Sequence, residues 1–306
     1  MGPNIIIAGA PKCGSTSLFH LLSQHPQVYF PACKEPGYFV RDYFSSISPS
    51  SPNYYRLKSN LVLDSNDYYK LYSNIPQQCR GDASITYLFK AEEAATNIAR
   101  ELGDDVHIIF ILRDPVKRLV SQYQYCVELG FEDKPLSQAL RLEPKRMADN
   151  WSSIYAYVGQ GLYAEGIDVF KKTFSNVTVV FSENLRTDPD ATLRYLCSRI
   201  GLSSFNFNTV STAYNTTGRP KSRGLHNLLL NKNPIRSSIY RIVKPLMSRE
   251  RVIQVQNSLR RVNQSRFDSD SHLKIAREWA FDIYDNDTRF LSSLLNQDIP
   301  WNGGDQ

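Results

Sequence analysis

Short apolar runs at positions 5–10, 28–30, 78–81, 106–112 and 177–181 read as strands. Between them lie stretches with helical apolar spacing, at 15–24, 91–102, 116–129, 162–173, 189–200 and about 273–295. The runs Val106-His-Ile-Ile-Phe-Ile-Leu112 and Val177-Thr-Val-Val-Phe181 are β-branched and nearly continuous, as strands covered on both faces are. Asp188-Pro189 marks one helix start and Gly201 its end. This alternation predicts an α/β fold, a mostly parallel central sheet flanked by helices in three layers. Polar stretches at 45–65 and 209–222 interrupt the rhythm but are too short to separate domains. With no internal repeat, a single domain spanning 1–306 is expected.

Composition narrows the class. With 22% charged and 42% hydrophobic residues in 306, the chain is neither a disordered tail nor a fibre. No run approaches the roughly 18 apolar residues of a membrane-spanning helix. The run from Asn4 to Ala10 reads as a first buried strand and not as a signal peptide. Five scattered cysteines without a CxxC pair argue against disulfides and structural zinc, so a reducing, cytoplasmic setting is expected. Net charge is +6 and uneven: 219–267 holds twelve Lys or Arg against Glu250 alone, a net +11 that leaves −5 elsewhere. That basic segment, expected to be mostly helical, is either a solvated surface or a contact for an anionic partner or membrane surface.

The first strand runs into Gly9-Ala-Pro-Lys-Cys-Gly-Ser-Thr16 and then an apolar-periodic helix. A strand, a tight glycine loop and a helix N-terminus together form an anion site. Against the P-loop pattern GxxxxGK[ST], Gly9, Gly14 and Thr16 keep the spacing, but Ser15 stands where the lysine belongs and Lys12 is the loop's lysine. A P-loop-like fold binding a shorter phosphate chain is implied. The fourth strand ends at Arg113, which puts a guanidinium at the carboxyl edge of the sheet, where open α/β folds bind ligands. Asp114-Pro115 then begins a helix that carries Ser121.

These segments resemble the sulfotransferases that use 3′-phosphoadenosine 5′-phosphosulfate (PAPS), particularly the branch of the heparan sulfate sulfotransferases and their bacterial relatives. Pro11-Lys-Cys-Gly-Ser-Thr-Ser-Leu18 resembles the family's 5′-phosphosulfate loop, and Ile111-Leu-Arg-Asp-Pro-Val-Lys-Arg-Leu-Val-Ser-Gln-Tyr123 its 3′-phosphate motif. Lys34–Phe39, Gly81–Tyr87, Phe181–Pro189 and the tail Tyr284–Trp301 follow in the family's order. The resemblance implies sulfonate transfer from PAPS to an acceptor hydroxyl, or an amine, with 3′-phosphoadenosine 5′-phosphate (PAP) as product and no metal required. It implies that Lys12, Cys13, Gly14, Ser15, Thr16 and Ser17 hold the 5′-phosphosulfate, with Lys12 stabilising the leaving group. Arg113 and Ser121 would then grip the 3′-phosphate, and Gly218, Arg219 and Lys221 belong to a loop that closes over the donor. Family members use either a histidine after Gly81-Asp82, absent here, or a glutamate at Glu35; Glu35 is therefore the expected base, with Asp82 a lesser candidate. The 3-O branch carries a histidine two residues after that glutamate, where this chain has Gly37.

Two rival readings stand beside this one. Gly9, Gly14 and Thr16 would suit a P-loop kinase using Mg-ATP, although Ser15 and Arg113 stand where a lysine and an acidic metal ligand belong. The +11 segment would suit a non-catalytic polyanion binder. The acceptor itself, whether a glycan, a lipid or another alcohol, is expected to be selected by 45–65 and 132–160; no nucleic-acid partner is expected.

Overall fold

The computed structural model describes residues 2–209, 219–220, 264–265 and 268–301. Strand β1 (Ile5–Gly9) leads through the glycine loop into α1 (Ser15–Leu22), and β2 (Val28–Tyr29) follows. Short helices α2 (Arg41–Ser46), α3 (Tyr54–Lys58) and α4 (Ser65–Lys70) precede β3 (Cys79–Ala83). Next come α5 (Thr86–Phe89), α6 (Ala91–Leu102), β4 (His107–Leu112), α7 (Pro115–Glu128) and α8 (Leu136–Ala148). Helix α9 (Ala164–Thr173) feeds β5 (Val177–Phe181), which α10 (Ser182–Thr187) and α11 (Pro189–Ile200) follow. The short strands β6 (Arg219–Pro220) and β7 (Gln264–Ser265) pair antiparallel, with Arg219 opposite Ser265, and α12 (Ser269–Leu295) comes last.

The central sheet is five-stranded and parallel throughout, in the order β2-β3-β1-β4-β5. Ile5 pairs with Gly81 on one side and His107 on the other, and Ile108 pairs with Val177. Every residue of β1 and β4 is buried, which is why both read as continuous apolar runs. The chain leaves β1 toward β2 and leaves β4 toward β5, on opposite sides of the sheet. The carboxyl ends of these two neighbours therefore diverge and open a crevice between them.

Among the described residues, apolar packing falls into two clusters. The larger covers the sheet with Ile6, Ile7, Leu18, Ile98, Phe110, Ile111 and Phe170 among its members. The smaller joins α7, α8 and α12 through Leu119, Tyr123, Leu140, Tyr157, Ala280 and Tyr284. The fully buried Arg118 guanidinium donates to the Tyr157 carbonyl and the Gln122 side chain, tying α7 to the chain after α8.

All five expected strands are present. The stretch 45–65 is not wholly irregular, because α3 lies inside it and Asp64 caps α4 by accepting from the Asp67 N–H at 3.0 Å. Helix α8 occupies much of 132–160 and carries Pro144 inside it. Asp268 caps α12 and starts it at Ser269. Among the described residues no helix is long and apolar enough to cross a membrane.

Candidate active site

Residues 11 to 17, from the loop after β1 and the first turn of α1, all border a cleft of about 550 Å³. The Ala10 N–H donates to the Ile111 carbonyl at 2.8 Å, so the loop leaves β1 still fastened to β4. Gly14 caps α1 with φ at 98°, a left-handed conformation that glycine adopts without a Cβ penalty. Ser15, Thr16 and Ser17 then form the first turn of α1, the end at which helix N–H groups and dipole favour an anion. The Lys12 ammonium lies 4.1 Å from the centre of the Tyr125 ring, and burial lowers its pKa below the ordinary 10.5. Cys13 borders the cleft, but its thiol is turned to the Pro11 carbonyl at 3.4 Å, and burial pushes its pKa up to about 12.

Arg113 follows directly on β4. Its Nη1 donates to the Lys12 carbonyl at 3.3 Å, so the two motifs meet across the crevice. The buried Tyr163 hydroxyl donates to the Arg113 carbonyl at 2.9 Å and sits 3.7 Å from the Cys13 sulfur, tying both loops to the start of α9. Asp114 Oδ1 accepts from the N–H groups of Val116 and Lys117 at 2.8 and 3.1 Å, and Pro115 occupies the first turn. This cap aims α7 so that Ser121, Gln122 and Tyr125 line the cleft while Leu119 and Tyr123 pack into the smaller cluster.

The third wall comes from the end of β3. The Glu35 N–H donates to the Ala83 carbonyl at 3.0 Å and the Gly37 N–H to Ser84 Oγ at 3.1 Å. Glu35 thereby faces the cleft with its side chain 43% exposed. The neighbouring Lys34 ammonium donates to Glu35 Oε1 at 3.1 Å and to Thr16 Oγ1 at 3.0 Å. Asp82 has a different setting. It is fully buried, does not border the cleft, and accepts from the hydroxyls of Tyr68, Ser84 and Tyr87 at 2.7, 2.7 and 2.9 Å. Burial raises its pKa above the ordinary 3.8. Asp82 is a hub holding three elements together.

The structure thus brings Lys12 to Ser17, Glu35, Arg113 and Ser121 to one cleft. Gly218 and Lys221 lie outside the described residues, as does most of the basic segment 219–267, and of Arg219 only the backbone is described. Lys34, Tyr125 and Tyr163 were not singled out from sequence; Lys34 stood next to Glu35, and only its contact with Thr16 sets it apart. The cleft also takes Ser182 and Arg186 from α10, Arg56 and Asn60 from the 45–65 stretch, and Ser153 and Gln160 from the stretch after α8. Among the described residues no group of three or more His, Cys, Asp or Glu side chains is placed to hold a metal ion.

The profile of the Sulfotransferase family matches residues 3–206. The chain is similar to the heparan sulfate glucosamine 3-O-sulfotransferase 3B1 of Mus musculus, 26% identical over 211 residues, covering 65% of this chain and 46% of that protein. It is also similar to the carbohydrate sulfotransferase 15 of Homo sapiens, 29% identical over 188 residues, covering 48% of this chain and 32% of that protein. The chain spans less than half the length of these curated relatives. Among solved structures, a sulfotransferase from Alicyclobacillus acidocaldarius matches with a TM-score of 0.71 over 98% of each chain, at 23% identity, a likeness of fold.

Proposed function

The chain belongs to the sulfotransferase family, and on that premise we propose that it transfers a sulfonate group from PAPS to an acceptor hydroxyl, most simply one on a carbohydrate. The observation that carries this reading is the meeting of two phosphate-type motifs over one cleft, with Arg113 Nη1 bonded to the Lys12 carbonyl and Glu35 on the facing wall. The residues present fit such a donor. The first turn of α1 suits a 5′-phosphate, and the planar, multidentate Arg113 with Ser121 suits a 3′-phosphate. Lys12 stands where charge develops on the leaving oxygen, an effect confined to the transition state. Glu35, open to the cleft, accepts the proton of the acceptor hydroxyl.

The acceptor end is formed by Arg56, Asn60, Ser153 and Gln160, polar groups suited to sugar hydroxyls. A Cβ at Gly37 would run into the Phe44 ring, so the histidine that the resemblance places here in the 3-O branch would need that ring to shift. One domain, 1–306, carries the whole site in this reading. Calorimetry with PAP and with adenosine 5′-phosphate tests it: PAP binds at least tenfold more tightly, and wild-type protein moves labelled sulfonate from PAPS to a carbohydrate acceptor. Glu35→Gln keeps PAP affinity and loses turnover. Equal affinity for the two nucleotides would sink the reading.

A further inference from the structure

The scheme above gives Lys34, which borders the cleft, no task. We propose that Lys34 is a second catalytic cation, which holds the oxygens of the sulfonate group in transit; this rests on the sulfotransferase reading. Its ammonium touches Thr16 Oγ1 at 3.0 Å and Glu35 Oε1 at 3.1 Å, and its side chain, 21% exposed, borders the cleft. Separate arguments put those two partners on opposite sides of the reaction. Thr16 belongs to the loop that holds the donor's 5′ end, and Glu35 is the group that takes the acceptor's proton. A single ammonium in contact with both therefore stands beside the path of an in-line displacement.

In that displacement the acceptor oxygen bonds to sulfur as the bond from sulfur to the bridging phosphate oxygen breaks. The electron pair of the broken bond stays on the phosphate oxygen beside Lys12, and the acceptor's proton passes to Glu35. The other three sulfonate oxygens form a girdle that passes between the loop and the base, where Lys34 Nζ lies. An ammonium has three N–H donors, and the two contacts described engage two of them. Lys12 and Lys34 then divide the work, one on the leaving oxygen and the other on the girdle.

Because PAP lacks the sulfonate, comparing the two nucleotides isolates Lys34. Lys34→Met should leave PAP affinity within about twofold, weaken PAPS about tenfold and lower kcat about 100-fold, with Lys34→Arg recovering part of the rate. The weakened PAPS binding should persist in a Glu35→Gln background. Parallel loss of PAP and PAPS affinity would overturn the proposal, since Lys34 would then only brace the loop through Thr16. So would an effect that vanishes in the Glu35→Gln background, or an unchanged kcat with unchanged affinities. Wild-type protein that binds neither nucleotide would overturn the sulfotransferase reading itself, and this proposal with it.

Discussion

Asp82 accepts three hydroxyl hydrogen bonds in full burial, whereas the Glu35 side chain is 43% exposed on the cleft. The two carboxylates should therefore fail differently when altered. Asp82→Ala strands the hydroxyls of Tyr68, Ser84 and Tyr87 without an acceptor, and urea unfolding should show a loss on the order of 4 kcal/mol. Glu35→Gln should stay within about 0.5 kcal/mol of wild type while turnover vanishes. Lys12 sets an alkaline limit. Its pKa is lowered by burial, it serves only as a cation, and raising the pH removes that cation. In the free protein, kcat/KM should thus fall at a pH below 10.5, lysine's ordinary value. Lys12→Arg, which stays charged, should lower the rate but move that limb upward; a pH–rate profile of both proteins decides it.

The segment from Lys34 to Gly37 shows how an element's backbone places its chemistry. Glu35 and Gly37 both hold left-handed φ values, 65° and 71°, and hydrogen bonds to Ala83 and Ser84 fix the segment at the end of β3. A Cβ at Gly37 meets both that φ and the Phe44 ring, so Gly37→Ala should cost about 2 kcal/mol in denaturant unfolding and lower kcat by shifting Glu35. The strands that support this segment were legible because burial on both faces leaves an unbroken β-branched run, as in β4. The places of Lys12 and Arg113 on the cleft were legible because each follows a strand at the carboxyl edge of the sheet, whereas Glu35 and Ser121 were reached only through the family resemblance. Helix α8 was not: Pro144 lies inside it and tertiary packing through Leu136, Ala139 and Leu140 decides its existence. Nor was the place of Tyr163, whose bonds to Arg113 and Cys13 join positions 50 and 150 residues apart. No local periodicity encodes a contact of that kind.

At the scale of the whole molecule, the strand order fixes where a bisphosphorylated nucleotide can lie. The loops after β1 and β4 belong to neighbouring strands but continue in opposite directions, so a ligand held by both spans the crevice. The Ala10–Ile111 bond fastens the first loop to β4, the Asp114 cap fastens the second to α7, and the Arg113–Lys12 and Tyr163 contacts link the two. A ligand gripping both loops holds each of them closed, while one gripping a single loop adds no direct hold on the second. Hydrogen exchange should therefore show PAP slowing the amides of 12–18 and 113–121 together. Adenosine 5′-phosphate, without the 3′ group, should slow only the first set. Arg113→Ala should turn the PAP pattern into the one-sided pattern while leaving exchange in β1 and β4 unchanged. Two-sided protection that survives Arg113→Ala would place the 3′-phosphate on some other group, such as Arg186, which borders the same cleft from α10.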